Sequence, residues 1–329
     1  MTYKVWLVEQ PGGAFKQSER AIPTLDRNQV LVRIAASGLN PLDTKIRTGR
    51  ADHARQPLPA VLGLDTAGTV EAVGSAVTAF KAGDEVYGLV GGVGGHQGTL
   101  AEYIAPDARL LALKPKSLSM RQAAALPLSV ITAWEGLVDR ANVHAGQTAL
   151  IHAGAGGIGH IAIQIARAHG AKVFATVSPE KQSIVEDLGA TPIDYRSIPV
   201  EQYVADSTGG QGFDIVYDTV GGATLDASFN AVKRYTGHVV SALGWGSHSL
   251  APLSFRGATY SGVFTLLPLL TGQNQAHHGA ILTQAAALAD SSKLTPFLSP
   301  QRFTPIDLDA ACALVERSTP GKVVIEVAN

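Results

Sequence analysis

The segment 151–159 has the residue types and spacing of a phosphate-binding turn. It reads Ile-His-Ala-Gly-Ala-Gly-Gly-Ile-Gly and contains the spacing G-x-G-x-x-G. Glycines let the backbone approach a pyrophosphate without a Cβ clash, and a helix that begins here directs free N–H groups at the anion. Glycine is abundant in this chain, so a turn that only packs a helix on a strand is the alternative. The predicted phosphate-binding residues are Gly154, Gly156, Gly157 and Ile158.

The next predicted strand, Lys172–Val177, indicates which dinucleotide binds. Folds that bind NAD place an acidic residue at the end of this strand, where it holds the ribose 2′-hydroxyl. Here Ser178 and Lys181 follow the strand instead, and a hydroxyl with an ammonium can bind a 2′-phosphate. Glu180 lies between them, and its helical position predicts that it points elsewhere. We therefore predict NADP(H), with a solvated surface lysine as the alternative interpretation of Lys181.

Composition excludes several other classes of protein. The chain of 329 residues has one cysteine, Cys312, so it forms no intrachain disulfide and no zinc site with two or more thiolates. Its 26 basic and 27 acidic residues argue against a nucleic-acid partner. No apolar run reaches the ~20 residues of a membrane helix, and we recognise no secretory signal, so we expect a cytoplasmic protein without a membrane partner.

The elements that must position these residues change in character along the chain. Residues 1–115 contain short β-branched runs separated by turns and almost no helical period, which predicts a small antiparallel β domain. Beyond Ser119, buried strands and helices alternate, which predicts a doubly wound parallel sheet. The last predicted strand, Val323–Val327, must pair with a partner, and we place that partner in the first domain. The predicted layout is one domain of residues 1–123 and 267–329, with residues 124–266 inserted.

Seven segments carry a family resemblance, and they span almost the whole chain in the family order. They are Ser37–Gly49, Leu62–Gly68, Gly83–Val86, Gly98–Tyr103, Ala124–Leu128, Asp218–Gly222 and Gly321–Val324. With the glycine-rich turn, this set resembles the medium-chain dehydrogenase/reductase superfamily, in its zinc-independent, quinone-oxidoreductase-like branch. The resemblance implies an α/β protein with a GroES-like β-rich catalytic domain that carries the termini and an inserted Rossmann domain.

The resemblance also bears on zinc. Zinc alcohol dehydrogenases of this superfamily place a cysteine ligand where this chain has Asn40, and a His-Glu pair where it has Leu64-Asp65. Leucine cannot coordinate a metal, and asparagine is a poor zinc ligand. The structural lobe that needs four cysteines is replaced by the glycine-rich loop Gly91–Gly98. We therefore expect no metal site.

Hydride addition to a quinone or to a C=C bond conjugated with a carbonyl needs no Lewis acid, because the substrate delocalises the charge. The resemblance places Asn40 near nicotinamide and substrate, Thr132 against the nicotinamide, and Tyr195 near the 2′-phosphate. Each also has a structural interpretation, as a turn residue, a helix-packing residue and a cover for the sheet edge. Lys45 stands where some relatives carry a tyrosine, and it either stabilises an enolate or is a solvated lysine. The remaining predicted cofactor contacts are Val220, Leu243, Gly244, Val263 and Phe264.

These observations predict an NADPH-dependent reductase of quinones or α,β-unsaturated carbonyl compounds. One alternative is an NADPH-binding sensor or structural protein with little turnover, and another is a zinc-dependent alcohol dehydrogenase. The resemblance also implies a homodimer formed through edge strands of the Rossmann domain.

Overall fold

The computed structural model describes residues 2–317 and 320–327. The chain divides into two compact units, one of Met1–Leu128 with Leu266–Asn329 and the other of Ser129–Thr265. Each unit has its own sheets. No helix among the described residues combines the length and the apolarity that crossing a bilayer requires.

Strands dominate the first unit and alternate with helices in the second. The strands are β1 (Thr2–Val8), β2 (Lys16–Ala21), β3 (Val30–Gly38), β4 (Ala60–Val61), β5 (Asp65–Val73), β6 (Glu85–Leu89), β7 (Tyr103–Ile104), β8 (Leu111–Leu113), β9 (Thr148–Ile151), β10 (Lys172–Val177), β11 (Thr191–Asp194), β12 (Ile215–Asp218), β13 (His238–Ser241), β14 (Thr259–Gly262) and β15 (Val324–Glu326). The helices are α1 (Pro41–Arg47), α2 (Met120–Ala124), α3 (Pro127–Trp134), α4 (Gly159–Ala168), α5 (Gln182–Asp187), α6 (Val200–Thr208), α7 (Ala223–Ala231), α8 (Ala251–Ser254), α9 (Leu267–Thr271), α10 (Gln275–Asp290) and α11 (Leu308–Glu316).

The first unit contains two antiparallel sheets. One has the order β2-β1-β4, and the other has the order β15-β3-β5-β6-β8 with β7 also paired to β3. Strand β15 lies antiparallel to β3 with Val324 opposite Gly38, so the end of the chain returns to this sheet. This return places Lys322 beside the segment that follows β3.

The second unit is a six-stranded parallel sheet of order β11-β10-β9-β12-β13-β14. In the unit's own numbering this is 3-2-1-4-5-6, the order of doubly wound dinucleotide-binding folds. Strand β12 is buried over all four residues, as expected for a parallel strand covered on both faces. The core between sheet and helices includes Leu150, Phe174, Val216 and Phe229. The predicted fold class, a β-rich unit plus a doubly wound parallel sheet, is confirmed.

Candidate functional site

The glycine-rich turn joins β9 to α4 in very little space. A Cβ atom on Gly154 would lie 2.6 Å from Cβ of Ala175, and one on Gly159 would lie 2.1 Å from the carbonyl oxygen of Ala153. These two glycines therefore allow α4 to pack on the sheet. Gly157 differs, because a Cβ atom there would meet nothing within 4 Å. The turn is thus tightly packed at Gly154 and Gly159 and open at Gly157.

The open part of this turn, at Gly157 and Ile158, has the hydrogen-bond donors that an anion needs. Within the described parts of the chain, the backbone N–H groups of Gly157 and Ile158 donate to no acceptor. The ten-residue helix α4 begins directly after them, so its positive dipole end faces the same space. The residues present therefore fit the pyrophosphate of a dinucleotide.

The ends of β10 and β11 are neighbours, with Val177 opposite Asp194. Ser178 is buried directly after β10, and Tyr195 is 56% exposed directly after β11. Lys181 stands on the turn that leads into α5, where its backbone N–H donates to the carbonyl of Ser178 at 3.0 Å. The three residues predicted to meet a 2′-phosphate therefore lie at one corner of the sheet.

The structure corrects one prediction at this corner. Glu180 does not point elsewhere, because its carboxylate lies 3.3 Å from the guanidinium of Arg196. Hydrogen bonds from its own backbone N–H and from the Ser178 hydroxyl hold the pKa of Glu180 below its usual value. The prediction took Glu180 as a residue of the helix, whereas it lies in the short 3₁₀ turn Pro179–Lys181 that precedes α5.

A buried carboxylate orders the loops after β12 and β13. Asp218 accepts hydrogen bonds from the backbone N–H of Val220 at 3.0 Å and from the Ser241 hydroxyl at 2.6 Å. Ser241 Oγ in turn accepts from the backbone N–H of Leu243 at 3.1 Å. Gly244 follows, where a Cβ atom would lie 2.2 Å from the hydroxyl of Tyr260. Val220, Leu243 and Gly244 are predicted contacts, whereas Asp218 lies in the resemblance segment Asp218–Gly222 without a predicted role, because its burial could not be read from its residue type.

Thr132 belongs to a second hydrogen-bonded group of this unit. Its hydroxyl lies 3.0 Å from that of Thr265, and the Thr265 hydroxyl donates to Glu135 at 3.2 Å. Tyr217 donates to the carbonyl of Thr132 at 2.8 Å. Glu135 starts a π-helical stretch, a rare geometry that is frequent at functional sites.

The remaining two predicted contacts come directly before Thr265. The backbone N–H of Val263 donates to the carbonyl of Ser241 at 2.9 Å. The ring of Phe264 meets the ring of Trp245 edge to face at 5.8 Å. The loop after β14 is therefore tied both to the end of β13 and to the Thr132 group.

In the first unit, the predicted site residue Asn40 belongs to a buried polar cluster. Its amide N–H₂ donates to Asp65 at 2.9 Å, and its carbonyl oxygen accepts from the ammonium of Lys322. Lys322 also donates to Asp65 at 3.1 Å, and the second oxygen of Asp65 accepts from the backbone N–H of Leu128 at 2.8 Å. Both ends of the Asn40 amide are therefore fixed.

Asp43 extends this cluster to the start of α1. Its carboxylate accepts from the backbone N–H groups of Asn40 at 2.8 Å and Gly63 at 3.1 Å. Burial raises the pKa of Asp43 to about 7 against the opposing effect of the Asn40 N–H, and the charge of Asp65 adds to the increase. The group is thus poised to titrate near neutral pH.

The cluster does not have the donor set of a zinc site. Leu64 is buried and offers no ligand atom, and the ammonium of Lys322 stands beside both Asn40 and Asp65. Across residues 2–317 and 320–327, no group of three histidine, cysteine, aspartate or glutamate side chains is placed to hold a metal ion. Cys312 is buried, and burial raises the pKa of its thiol to about 12.

Lys45 lies on α1 in an exposed position, and no carboxylate in the described residues pairs with it. Burial lowers the pKa of the nearby His53, and the charge of Lys45 adds to this effect.

Ile46, the next residue on α1, lines a cavity of about 380 Å³. The other lining residues are Gly49, Ala51, Asp52, Arg55, Gln56 and Pro57.

Comparison with known proteins shows similarity over almost the whole of this chain. Residues 26–116 match the alcohol dehydrogenase GroES-like domain family, and residues 157–274 match the zinc-binding dehydrogenase family. The chloroplastic NADPH-dependent alkenal/one oxidoreductase of Arabidopsis thaliana is 37% identical over 98% of this chain and 79% of its own.

Solved structures agree with this similarity. An alcohol dehydrogenase superfamily protein from Novosphingobium aromaticivorans is 56% identical, with a TM-score of 0.97 over 99% of this chain and 100% of its own. The quinone oxidoreductase from Coxiella burnetii is 29% identical, with a TM-score of 0.83 over the whole of both chains.

Proposed function

Because this chain belongs to the medium-chain dehydrogenase/reductase superfamily, in its quinone-oxidoreductase-like branch, we propose that it is a zinc-independent, NADPH-dependent reductase. Its substrates are α,β-unsaturated aldehydes and ketones or quinones. The observation that carries the proposal is the turn around Gly157, where backbone N–H groups without an acceptor in the described residues precede helix α4 and suit a pyrophosphate. The Arabidopsis relative's name supports both the cofactor and the substrate class.

In this proposal the second unit binds NADP(H). The turn around Gly157 holds the pyrophosphate, and the corner with Ser178, Lys181 and Tyr195 holds the 2′-phosphate. The loop ends ordered by Asp218 and the Thr132 group hold the nicotinamide half. The residues of this second set are Thr132, Val220, Leu243, Gly244, Val263 and Phe264. The bound cofactor supplies the hydride, and the protein supplies binding and orientation.

The chain's own polar groups act on the substrate. Addition of hydride to the β-carbon places negative charge on the carbonyl oxygen, and a nearby cation or N–H donor stabilises that charge. Lys45 is the proposed cation, since its ammonium is exposed and without a carboxylate partner in the described residues. Asn40 is the proposed neighbour of nicotinamide and substrate, as the family resemblance implies, and Lys322 and Asp65 fix its amide.

The test is a panel of alkenals, enones and quinones, each with NADPH and with NADH, on protein whose metal content has been measured. We expect NADPH oxidation with metal-free protein. With NADPH deuterated at C4, we expect the label on the β-carbon of a saturated carbonyl product. A label on the carbonyl carbon, or activity that needs stoichiometric zinc, would contradict the proposal. Tight NADPH binding without turnover on any substrate would favour the sensor function instead.

We also propose that residues 1–123 with 267–329 act as the catalytic domain and 124–266 as the cofactor domain. The proposed assembly is a homodimer formed through β14, which is an edge strand of the parallel sheet. A cytoplasmic location remains a prediction of the sequence.

A further inference from the structure

Arg196 lies at the corner of the sheet where the adenosine ribose of a dinucleotide is expected. It follows β11 directly after Tyr195, and its guanidinium lies 5.9 Å from the centre of the Tyr195 ring. Two of its nitrogens lie 3.3 Å from the two carboxylate oxygens of Glu180. Both side chains of this pair are 56% exposed. The pair therefore spans the loops after β10 and β11 at the surface, where a ligand can reach it.

The backbone that carries Arg196 is fixed, while the groups that its guanidinium contacts in the described residues, Glu180 and Tyr195, are exposed. Asp194 accepts from the Arg196 backbone N–H at 3.0 Å and from the Ser197 hydroxyl at 2.5 Å. The Asp194 carboxylate, at the end of β11, is thus hydrogen-bonded within this turn. The carboxylate that contacts the Arg196 guanidinium is that of Glu180. An exposed ion pair contributes little to stability, so its partners can be exchanged at small cost.

Glu180 and Arg196 have opposite preferences for the two dinucleotides. A carboxylate after the second strand accepts hydrogen bonds from the ribose 2′-hydroxyl of NAD and repels the 2′-phosphate of NADP. A guanidinium presents parallel N–H groups that match phosphate oxygens. Because the two side chains hold each other, the choice between cofactors depends on whether the bound ligand can separate them.

The geometry points to Arg196 as a cofactor-specificity residue that the 2′-phosphate of NADP(H) takes over from Glu180. This inference rests on the proposed function and deepens it. The phosphate replaces the Glu180 carboxylate as the partner of Arg196 and also receives the Ser178 hydroxyl. Lys181, on the same turn as Glu180, supplies the second positive charge. NAD(H) has no group that can replace the carboxylate, so Arg196 stays with Glu180.

The experiment measures the dissociation constants of NADPH and NADH by fluorescence titration of the full chain, with adenosine 2′,5′-bisphosphate and adenosine 5′-phosphate as competitors. We expect Arg196→Gln to weaken NADPH about tenfold or more, as for the loss of a charge-assisted hydrogen bond, and to leave NADH within about twofold. Arg196→Lys should recover part of the loss, because it keeps the charge without the fork. The matched control is Arg234→Gln. Arg234 is exposed and precedes β13, so it lies at the amino-terminal ends of the parallel strands, away from the proposed cofactor corner at their carboxyl-terminal ends.

The exchange itself is tested by a double-mutant cycle. We expect Glu180→Gln to tighten NADPH by about two- to fivefold, because Arg196 then has no partner to leave. The same substitution should have little effect in the Arg196→Gln background.

Two results would overturn the inference. One is NADPH affinity in Arg196→Gln equal to that of the Arg234→Gln control. The other is a Glu180→Gln effect of equal size in both backgrounds, which would show that Glu180 acts on the phosphate alone. Failure of the parent protein to prefer NADPH would refute the proposed function itself, so the two failures are distinguishable.

Discussion

At the scale of single residues, Lys322 is the most consequential side chain that sequence reasoning did not select. It lies 282 positions from Asn40 in the chain, yet its ammonium donates to that amide. The signal available was the segment Gly321–Val324, which the family resemblance includes without a role for the lysine. Spacing arguments find partners on one element, and this partner arrives only through the pairing of β15 with β3.

Loss of the Lys322 ammonium should strongly destabilise the fold. Lys322→Met leaves Asp65 fully buried without its cation, and breaking a buried pair from one side costs about 3–5 kcal/mol. Urea denaturation measures this loss in the free energy of unfolding. Lys322→Met with Asp65→Leu should recover part of it, because the carboxylate that the Lys322 ammonium pairs with is then absent. Equal stabilities of Lys322→Met and the exposed control Lys293→Met would contradict the prediction.

Asp43 should make stability depend on pH. Its pKa is raised from 3.8 to about 7 in the folded protein, so the folded state holds the proton more tightly than the unfolded chain does. The stability that this group contributes is therefore complete below the unfolded pKa and is lost as pH rises through the folded pKa, with a slope of at most about 1.4 kcal/mol per pH unit. Urea denaturation at a series of pH values should show a shallower decline in Asp43→Asn. An identical slope in the two proteins would refute the assignment.

At the scale of elements, the long buried patterns were readable and the short exposed ones were not. The apolar run of β10 was predicted from sequence, with the bounds that the structure has. Helix α1 was missed because seven residues give no helical period, although Asn40 and Asp43 form a capping box in which the Asp43 carboxylate accepts from the Asn40 N–H. Strand β2 was missed because all six of its residues are exposed and show no alternation.

The glycine-rich turn allows packing and binding to be separated by two substitutions. Gly159→Ala forces a Cβ atom to within 2.1 Å of a backbone oxygen, so we expect a destabilised second unit. Gly157→Ala meets nothing within 4 Å, so the free energy of unfolding should change by no more than about 0.5 kcal/mol. We expect Gly157→Ala to weaken NADPH binding nonetheless, because its Cβ atom occupies the space proposed for the pyrophosphate. Thermal unfolding and NADPH titration measure the two effects, and unchanged NADPH affinity in Gly157→Ala would place the pyrophosphate elsewhere.

At the scale of the whole molecule, the proposed homodimer depends on β14, an outer strand of the parallel sheet. Strand β14 ends the sheet order, and each of its residues is at least partly exposed. Phe255, shortly before β14, is 86% exposed. Tyr235 lies near it, because its backbone N–H donates to the carbonyl of Arg256, and Tyr235 is 85% exposed. Unpaired strand edges and adjacent apolar side chains favour association with a second copy.

This surface predicts that Phe255→Asp converts a dimer into a monomer. A carboxylate repeated by two-fold symmetry at an apolar interface is desolvated and faces its own copy, so association weakens. Light scattering after size-exclusion chromatography measures the mass of the assembly. NADPH affinity should stay unchanged. Phe255 precedes β14 and therefore lies toward the amino-terminal ends of the parallel strands, whereas the proposed cofactor corner lies at their carboxyl-terminal ends. Ile306→Asp, at an apolar residue of the first unit that is 89% exposed, is the matched control and should leave the mass as it is. If Phe255→Asp and Ile306→Asp give the same mass as the parent protein, the β14 edge is not the interface.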